Sequence, residues 1–174
     1  MGKVELGMTK AQVARALGKD SLVNDRATYD GKPYVELGWN FGSWSVAFGR
    51  TGSTLRVVQV STTLRSQKTP ARVGIGTQWR PLVHAYPGGA CAFGNSIGLP
   101  QEGVMGRYGS FLEYLVPHAG GTQTIFMLKL EDDHRYRVFE AHVRKPFTNL
   151  GEFGRQSPFR CRPGWEATDV PMPL

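Results

Sequence analysis

The segment 94–98, with the sequence GNSIG, has the spacing of a serine nucleophile motif. In G-x-S-x-G hydrolases the serine lies on a strained turn between a strand and a helix, which exposes its hydroxyl group. Here Leu99, Pro100 and Gly103 follow the serine, and proline and glycine oppose helix formation. We therefore expect Ser96 to lie in a flexible insertion without a catalytic role; a hydrolase at Ser96 is the weaker alternative.

The four histidines show no spacing that is typical of a metal site. They form no H-E-x-x-H motif, and no C-x-x-C pair accompanies them. The acidic run at 131–133 lacks the spaced ligands of a calcium loop. We expect neither a metal nor a cofactor, and we expect four histidines on the surface or on a sheet face: His84, His118, His134 and His142.

The two cysteines, Cys91 and Cys161, are 70 positions apart. This spacing favours one long-range disulfide in an exported protein, which would tie the C-terminal tail to the rest of the chain. Two unrelated buried thiols are the alternative. The sequence begins Met1-Gly2-Lys3, which is not a signal peptide, so an exported protein would be a form from which that peptide has been removed.

The chain carries a net charge of +7, and its basic residues are unevenly placed. No acidic residue lies between Glu36 and Glu102. Such a stretch favours binding to an acidic protein surface, a nucleic acid or an anionic envelope polymer, although a merely soluble basic protein fits as well. The basic residues occur singly and form no tight cluster, which argues against binding to nucleic acid. The candidates within the basic stretch 37–101 are Arg50, Arg56, Arg65 and Lys68.

One helix and several strands are predicted from local patterns. Thr9 and Gln12 form a capping box at the start of a short amphipathic helix over 9–17, and Gly18 is placed to end it. Alternating apolar residues predict strands at 34–41, 43–48, 55–64, 111–116, 122–130 and 134–144. No apolar run is long enough to span a membrane as a helix.

The helix and the strands after it recur along the chain. The pattern that begins at Gly7 returns at Gly76, an offset of 69, and the strand segment 56–60 returns at 137–141, an offset of 81. We predict an α+β fold of two tandem modules, each a short helical segment on an antiparallel β-meander, in one continuous curved sheet. The modules span 1–64 and 71–145, with a linker at 65–70, an insertion at about 93–108 and a proline-rich tail at 146–174.

One face of this sheet is predicted to bind. Trp39, Phe41 and Trp44 fit the core under the helix, whereas small polar residues and tyrosine alternate with them. Such a mixture suits an adaptable binding surface, and a solvated sheet face explains the pattern equally well. The candidate residues on this face are Tyr34, Asn40, Ser45, Gln59, Ser61, Tyr136, His142 and Arg144.

The repeated motifs resemble a known group of envelope proteins. The segment LGMTKAQVARALG at 6–18 looks like the helix signature of the SmpA/OmlA lipoprotein family, and VGIGTQWRPLVHAYPGGAC at 73–91 is similar to a second module of related secreted proteins. Two such modules resemble the β-lactamase inhibitory protein architecture, in which each module has its own disulfide; here the first module has no cysteine.

This resemblance implies an exported, non-enzymatic protein whose sheet surface docks another protein. The expected partner is an acidic envelope or secreted enzyme, which an inhibitor-like protein of this kind would block by filling a cleft. The alternative is a binder of nucleic acid or of an anionic envelope polymer through the basic stretch 37–101.

Overall fold

The computed structural model describes residues 3–18, 22–29, 32–39, 43–94, 111–144 and 159–161. Its two helices are α1 (Lys10–Leu17) and α2 (Trp79–Ala85). Its strands are β1 (Leu22–Tyr29), β2 (Lys32–Trp39), β3 (Trp44–Thr51), β4 (Thr54–Thr62), β5 (Ala90–Gly94), β6 (Phe111–Pro117), β7 (Gln123–Leu130), β8 (Tyr136–Arg144) and β9 (Phe159–Arg160).

The nine strands in the described residues belong to one antiparallel sheet, with the order β1-β2-β3-β4-β8-β7-β6-β5-β9. The sheet therefore consists of two meanders that meet where β4 pairs with β8. In that pairing Ser61 lies opposite His142, and Thr62 lies opposite Ala141. The architecture is α+β with an antiparallel sheet, as the sequence patterns predict, although β1, β5 and β9 were not among the predicted strands.

The first helix begins with the predicted capping box. The Gln12 amide nitrogen donates to Thr9 Oγ1 at 3.3 Å, and the Thr9 amide nitrogen donates to Gln12 Oε1 at 2.8 Å. Gly18 follows the last turn with a φ of 93°, a backbone conformation that favours glycine. The helix buries Val13 against a core that includes Trp44 and Phe48.

The second helix lies on a separate core and has a different start. Its N-cap residue, Gln78, makes no side-chain hydrogen bond to the helix. Trp79 and Leu82 are buried in a core that also holds Tyr114 and the disulfide between Cys91 and Cys161. The Tyr114 hydroxyl group donates to the backbone carbonyl of Tyr86 at the end of α2. The second core is therefore anchored by aromatic and covalent contacts.

Both cores lie on the same face of the sheet. Residues directly opposite each other on neighbouring strands point to the same face, and Thr62, beside the first core's Val60, is paired with Ala141 of the second core. We call this side the helix face and the opposite side the distal face. Of the described helices, neither is long and apolar enough to cross a membrane.

The segment before each helix joins the last strand of its meander by the same pair of hydrogen bonds. The Gly7 amide donates to the Val57 carbonyl at 2.8 Å, and the Val57 amide donates to Met8 at 2.8 Å. Likewise, Gly76 donates to Val138 at 2.8 Å, and Val138 donates to Thr77 at 2.9 Å. Both glycines have positive φ, 89° and 86°, so each chain turns into its helix through a conformation that side chains disfavour.

Candidate functional site

Polar side chains form two cross-strand rows on the distal face, where the two meanders meet. In the first row Ser45 is opposite Ser61, Ser61 is opposite His142, and His142 is opposite Ile125. In the second row Ala47 is opposite Gln59, Gln59 is opposite Arg144, and Arg144 is opposite Gln123. The antiparallel register thus brings residues that are more than 80 positions apart in sequence into one surface.

The imidazole of His142 is the centre of the hydrogen bonds on this surface. Its Nδ1 lies 2.9 Å from Ser61 Oγ and 3.1 Å from Gln59 Nε2. On its other side, Nε2 lies 3.3 Å from Glu140 Oε1 and 2.7 Å from Met127 Sδ. We call these five side chains the seam cluster: Gln59, Ser61, Met127, Glu140 and His142.

The contacts of His142 are consistent with one neutral tautomer. With the Gln59 amide nitrogen facing the ring as a donor, Nδ1 accepts and the ring proton lies on Nε2, which faces Met127 Sδ and Glu140 Oε1. The side chains of His142 and Glu140 are 16% and 24% exposed. The seam cluster is therefore a fixed and half-buried array of polar groups that reaches solvent at the imidazole and carboxylate.

Serine, histidine and glutamate in this order raise the possibility of nucleophilic catalysis, and the geometry argues against it. A nucleophile must be accessible to its substrate, and Ser61 is only 2% exposed. Ser61 also lies in the middle of the sheet, with Ser45 and His142 as its ladder partners, so its strand amides belong to the ladder and do not form an oxyanion hole. The bonds instead hold the imidazole in place.

Arg144 extends the second row towards β7. With the Gln123 amide oriented to accept, its oxygen lies 2.9 Å from Nη2 and 2.7 Å from Nε of Arg144. Arg144 is only 4% exposed, so it contributes little area to this surface.

The structure brings most of the described candidate residues of the sheet face together. Ser45, Gln59, Ser61, His142 and Arg144 all lie in the two rows. Tyr34 is the backbone partner of Gly49 across β2 and β3, and its side chain is outside the described part. Asn40 lies outside the described residues.

Tyr136 is not on the predicted face. It is 5% exposed and belongs to the core under α2. The reason is a β-bulge at Phe139, where Met127 pairs with Glu140 and Leu128 pairs with Val138. The extra residue reverses the alternation, so Tyr136 and His142 lie on opposite faces although they are an even number of positions apart. Burial in the core also raises the pKa of the Tyr136 hydroxyl group.

The sequence patterns did not identify Met127, Glu140 or Gln123 as site residues. Met127 and Gln123 lie in the predicted strand 122–130, whose pattern indicates a strand without showing which side chains meet His142. Glu140 was identified only as the counterpart of Gln59 in the repeat, an offset of 81. That correspondence is the signal that would have placed both residues beside the same imidazole.

The basic candidates lie on different elements. Arg50 is exposed at the end of β3, and the Arg56 guanidinium donates to the Gly7 carbonyl at 3.3 Å. Arg65 and Lys68 are exposed beyond the other end of β4, a nine-residue strand and therefore about 30 Å long. These four residues do not form one groove.

Three further sequence predictions concern Ser96, metal binding and the two cysteines. Ser96 and most of the insertion at 93–108 are outside the described residues. Among the residues with a described position, no group of three or more His, Cys, Asp or Glu side chains is arranged to hold a metal ion. The Cys91 and Cys161 Cα atoms are 5.3 Å apart, and their sulfur atoms are bonded.

Comparison of the chain with protein-family models, with curated proteins and with solved structures finds no match.

Proposed function

We propose that this protein binds another protein through the distal face of its sheet and catalyses no reaction. The observation that carries the proposal is the seam cluster, in which hydrogen bonds join Gln59 and Ser61 to His142, and Glu140 Oε1 lies 3.3 Å from the same imidazole, before any partner arrives. Side chains that are already ordered lose little conformational entropy on binding. Met127 adds a polarisable apolar contact beside them, which suits a protein surface.

The bonding of the two meanders supports a tandem-module origin for this surface. Val57 and Val138 make equivalent hydrogen bonds and are 81 positions apart. Ser61 and His142 have the same offset and lie directly opposite each other. A two-fold relation between the modules would therefore pass through this pair, and the seam cluster would be the place where both modules contribute equivalent strands to one curved face.

The disulfide supports an exported location, and the net charge supports an acidic partner. A structural disulfide between Cys91 and Cys161 fits an oxidising compartment, and thus an exported protein. The net charge of +7 favours an acidic partner, because complementary charge speeds encounter and selects against basic proteins. An acidic secreted or envelope enzyme, held in an inhibitor-like manner, combines these properties.

Photo-crosslinking from the distal face tests the proposal. A benzophenone side chain replaces Met127 in one variant and Ala11, which is exposed on α1, in a matched control. Each variant is incubated with the secreted and envelope proteins of the source organism, with purified serine β-lactamases as a defined panel, and irradiated. We expect one discrete protein adduct from position 127 and none from position 11.

The adduct must then be reproduced with the purified partner at equimolar concentration. An equal yield from both positions, or no protein adduct from position 127, contradicts the proposal. Retention on immobilised DNA or heparin that falls steeply with salt, without a protein adduct, would favour the anionic-polymer alternative. That outcome would move the site to the basic stretch 37–101.

A further inference from the structure

A pocket of about 220 Å³ opens on the helix face, opposite the seam cluster. Its floor consists of the central strands β4, β7 and β8, and its walls are the linker after β4 and the end of α2. The lining residues are Thr62, Gln67, Lys68, Thr69, Pro70, Val73, Gly74, Tyr86, His118, Thr124, Phe126, Ala141 and Val143.

The apolar part of the pocket is rigid. The rings of Tyr86 and Phe126 stack with centroids 5.8 Å apart and an interplanar angle of 29°. The Tyr86 carbonyl accepts the hydrogen bond from the buried Tyr114 hydroxyl, which fixes the end of α2. Phe126 is fully buried in the second core. An apolar group that enters the pocket therefore meets a preformed wall.

The linker wall is also held by its own hydrogen bonds. The Thr69 amide donates to the Val73 carbonyl at 2.8 Å, and the Arg72 amide donates to Thr69 at 2.8 Å. The Gly74 amide donates to Thr77 Oγ1 at 3.0 Å, and a Cβ on Gly74 would overlap the backbone of Gln67. This close approach of backbone to backbone fixes the loop that carries Lys68.

The charge of the pocket is one-sided. Lys68 and His118 line it, and no aspartate or glutamate is among its lining residues. The His118 ring is oriented by a 2.7 Å hydrogen bond between Nε2 and Thr124 Oγ1. Within the described part of the chain, no ion pair joins Arg65, Lys68 or Arg72 to an acidic residue. Among the described residues, Lys68 therefore brings a positive charge to the pocket that no ion pair neutralises.

We propose that this pocket binds a small organic carboxylate with one apolar group, with the carboxylate at Lys68 and the apolar group against Tyr86 and Phe126. A pocket of about 220 Å³ is smaller than the roughly 300–1,000 Å³ of sites for drug-sized ligands, so the ligand is about as large as one amino-acid side chain. The pocket lies on the opposite face from the proposed protein-binding surface, and the two sites are independent.

Titration of the ¹⁵N-labelled full-length chain with phenylacetate, followed by NMR, tests this proposal. We expect saturable amide shifts that are confined to the residues lining the pocket, among them the linker 67–74, Tyr86, Thr124 and Phe126. Phenylacetamide, which has the same shape without the charge, is the ligand control and should bind about tenfold more weakly, the loss expected for one charge-assisted contact. High salt should weaken phenylacetate binding more than phenylacetamide binding.

Variants separate the role of Lys68 from that of net charge. Lys68→Gln should weaken phenylacetate binding about tenfold, and Lys68→Arg should retain most of it. Lys3→Gln removes the same charge at an exposed position on the N-terminal segment and should bind like the wild type. Equal affinity for phenylacetamide, unchanged affinity in Lys68→Gln, shifts elsewhere in the chain, or no saturable shift would each overturn the proposal.

Discussion

Under α1 the core is built from valines with Trp44 and Phe48, and no disulfide crosses it. Under α2 the core is more aromatic, with Trp79 and Tyr114 in edge-to-face contact at 5.5 Å, and it contains the Cys91–Cys161 disulfide. The N-termini of the two helices also differ. The first helix, α1, begins with a complete capping box, whereas Gln78, the N-cap residue of α2, makes no side-chain hydrogen bond.

A short helix packed on an antiparallel meander is thus stabilised in two different ways in this protein. In the first half, local hydrogen bonds that close within one turn of helix stabilise the start of α1, in addition to the core contacts. The second half relies on contacts between residues far apart in the chain, including a disulfide that spans 70 positions. Four experiments test this comparison.

The largest expected effect is that of removing the disulfide with Cys91→Ser and Cys161→Ser together. Closing a loop of 70 positions reduces the entropy of the unfolded chain and contributes about 4 kcal/mol in the chain-entropy model. We expect the free energy of unfolding, measured in urea, to fall by about that amount. Hydrogen exchange that occurs through local opening should accelerate more in β5 and β6 than in β3 and β4; equal acceleration of local opening in both halves would contradict the comparison.

The next effect is steric and concerns Gly89→Ala. A Cβ at this position would overlap the Tyr114 ring, which is fully buried. We expect a loss of about 1–3 kcal/mol, as for other overpacked core sites. Gly88→Ala is the control, since a Cβ there meets no atom within 4 Å. Indistinguishable unfolding midpoints for the two variants would show that the second core is loosely packed.

Removing the N-cap side chain should destabilise the protein more at α1 than at α2. Thr9→Ala removes the side-chain oxygen that accepts from Gln12, at a cost of about 1 kcal/mol. Gln78→Ala removes no side-chain cap bond and should change stability by less than about 0.5 kcal/mol. Thermal unfolding of both variants measures the difference, and an equal or larger loss in Gln78→Ala would be inconsistent with capping as the distinction.

The smallest effect belongs to the hairpin between β7 and β8. Asp133 accepts from Arg137 Nη1 at 2.8 Å, and this hydrogen bond lowers the pKa of the Asp133 carboxyl group below its ordinary value of 3.8. A lowered pKa in the folded state stabilises the protein above that ordinary value, and the contribution is lost as the pH falls through the lowered one.

An NMR titration of the Asp133 carboxyl carbon measures this pKa directly. In Arg137→Gln this pKa should rise towards its ordinary value, and overall stability at neutral pH should change little because the pair is exposed. If the Asp133 carboxyl group of the wild type titrates at its ordinary value, the ion pair with Arg137 does not stabilise this hairpin.

The sequence predicted the elements whose signals are local. The capping box at Thr9 and the alternation in β3, β4, β7 and β8 depend on neighbouring residues, and these elements were found. β1 contains Asn24, Asp25 and Arg26 without regular alternation, and β5 contains alanine, cysteine and glycine. Their strand conformation depends on pairing with distant partners, which no local pattern reports.

The candidate site was predictable to the same extent. Alternation placed Ser45, Gln59 and Ser61 on one face, and pairing of β4 with β8 brought His142 to them. The bulge at Phe139 could not be foreseen from alternation, and it moved Tyr136 to the core. The repeat offset of 81 makes Glu140 the counterpart of Gln59, a correspondence that alternation alone does not show.

The most direct test of protein binding through the distal face is calorimetric titration of the crosslinked partner, once purified, with three forms of this chain. The wild type is compared with Gln59→Ala plus Met127→Ala, which truncates the seam cluster, and with Arg15→Ala, which truncates an exposed side chain on α1. We expect the double variant to bind at least about tenfold more weakly, a loss of about 1.4 kcal/mol, and Arg15→Ala to bind like the wild type. Unchanged affinity in the double variant, with its thermal stability preserved, would contradict binding through this face.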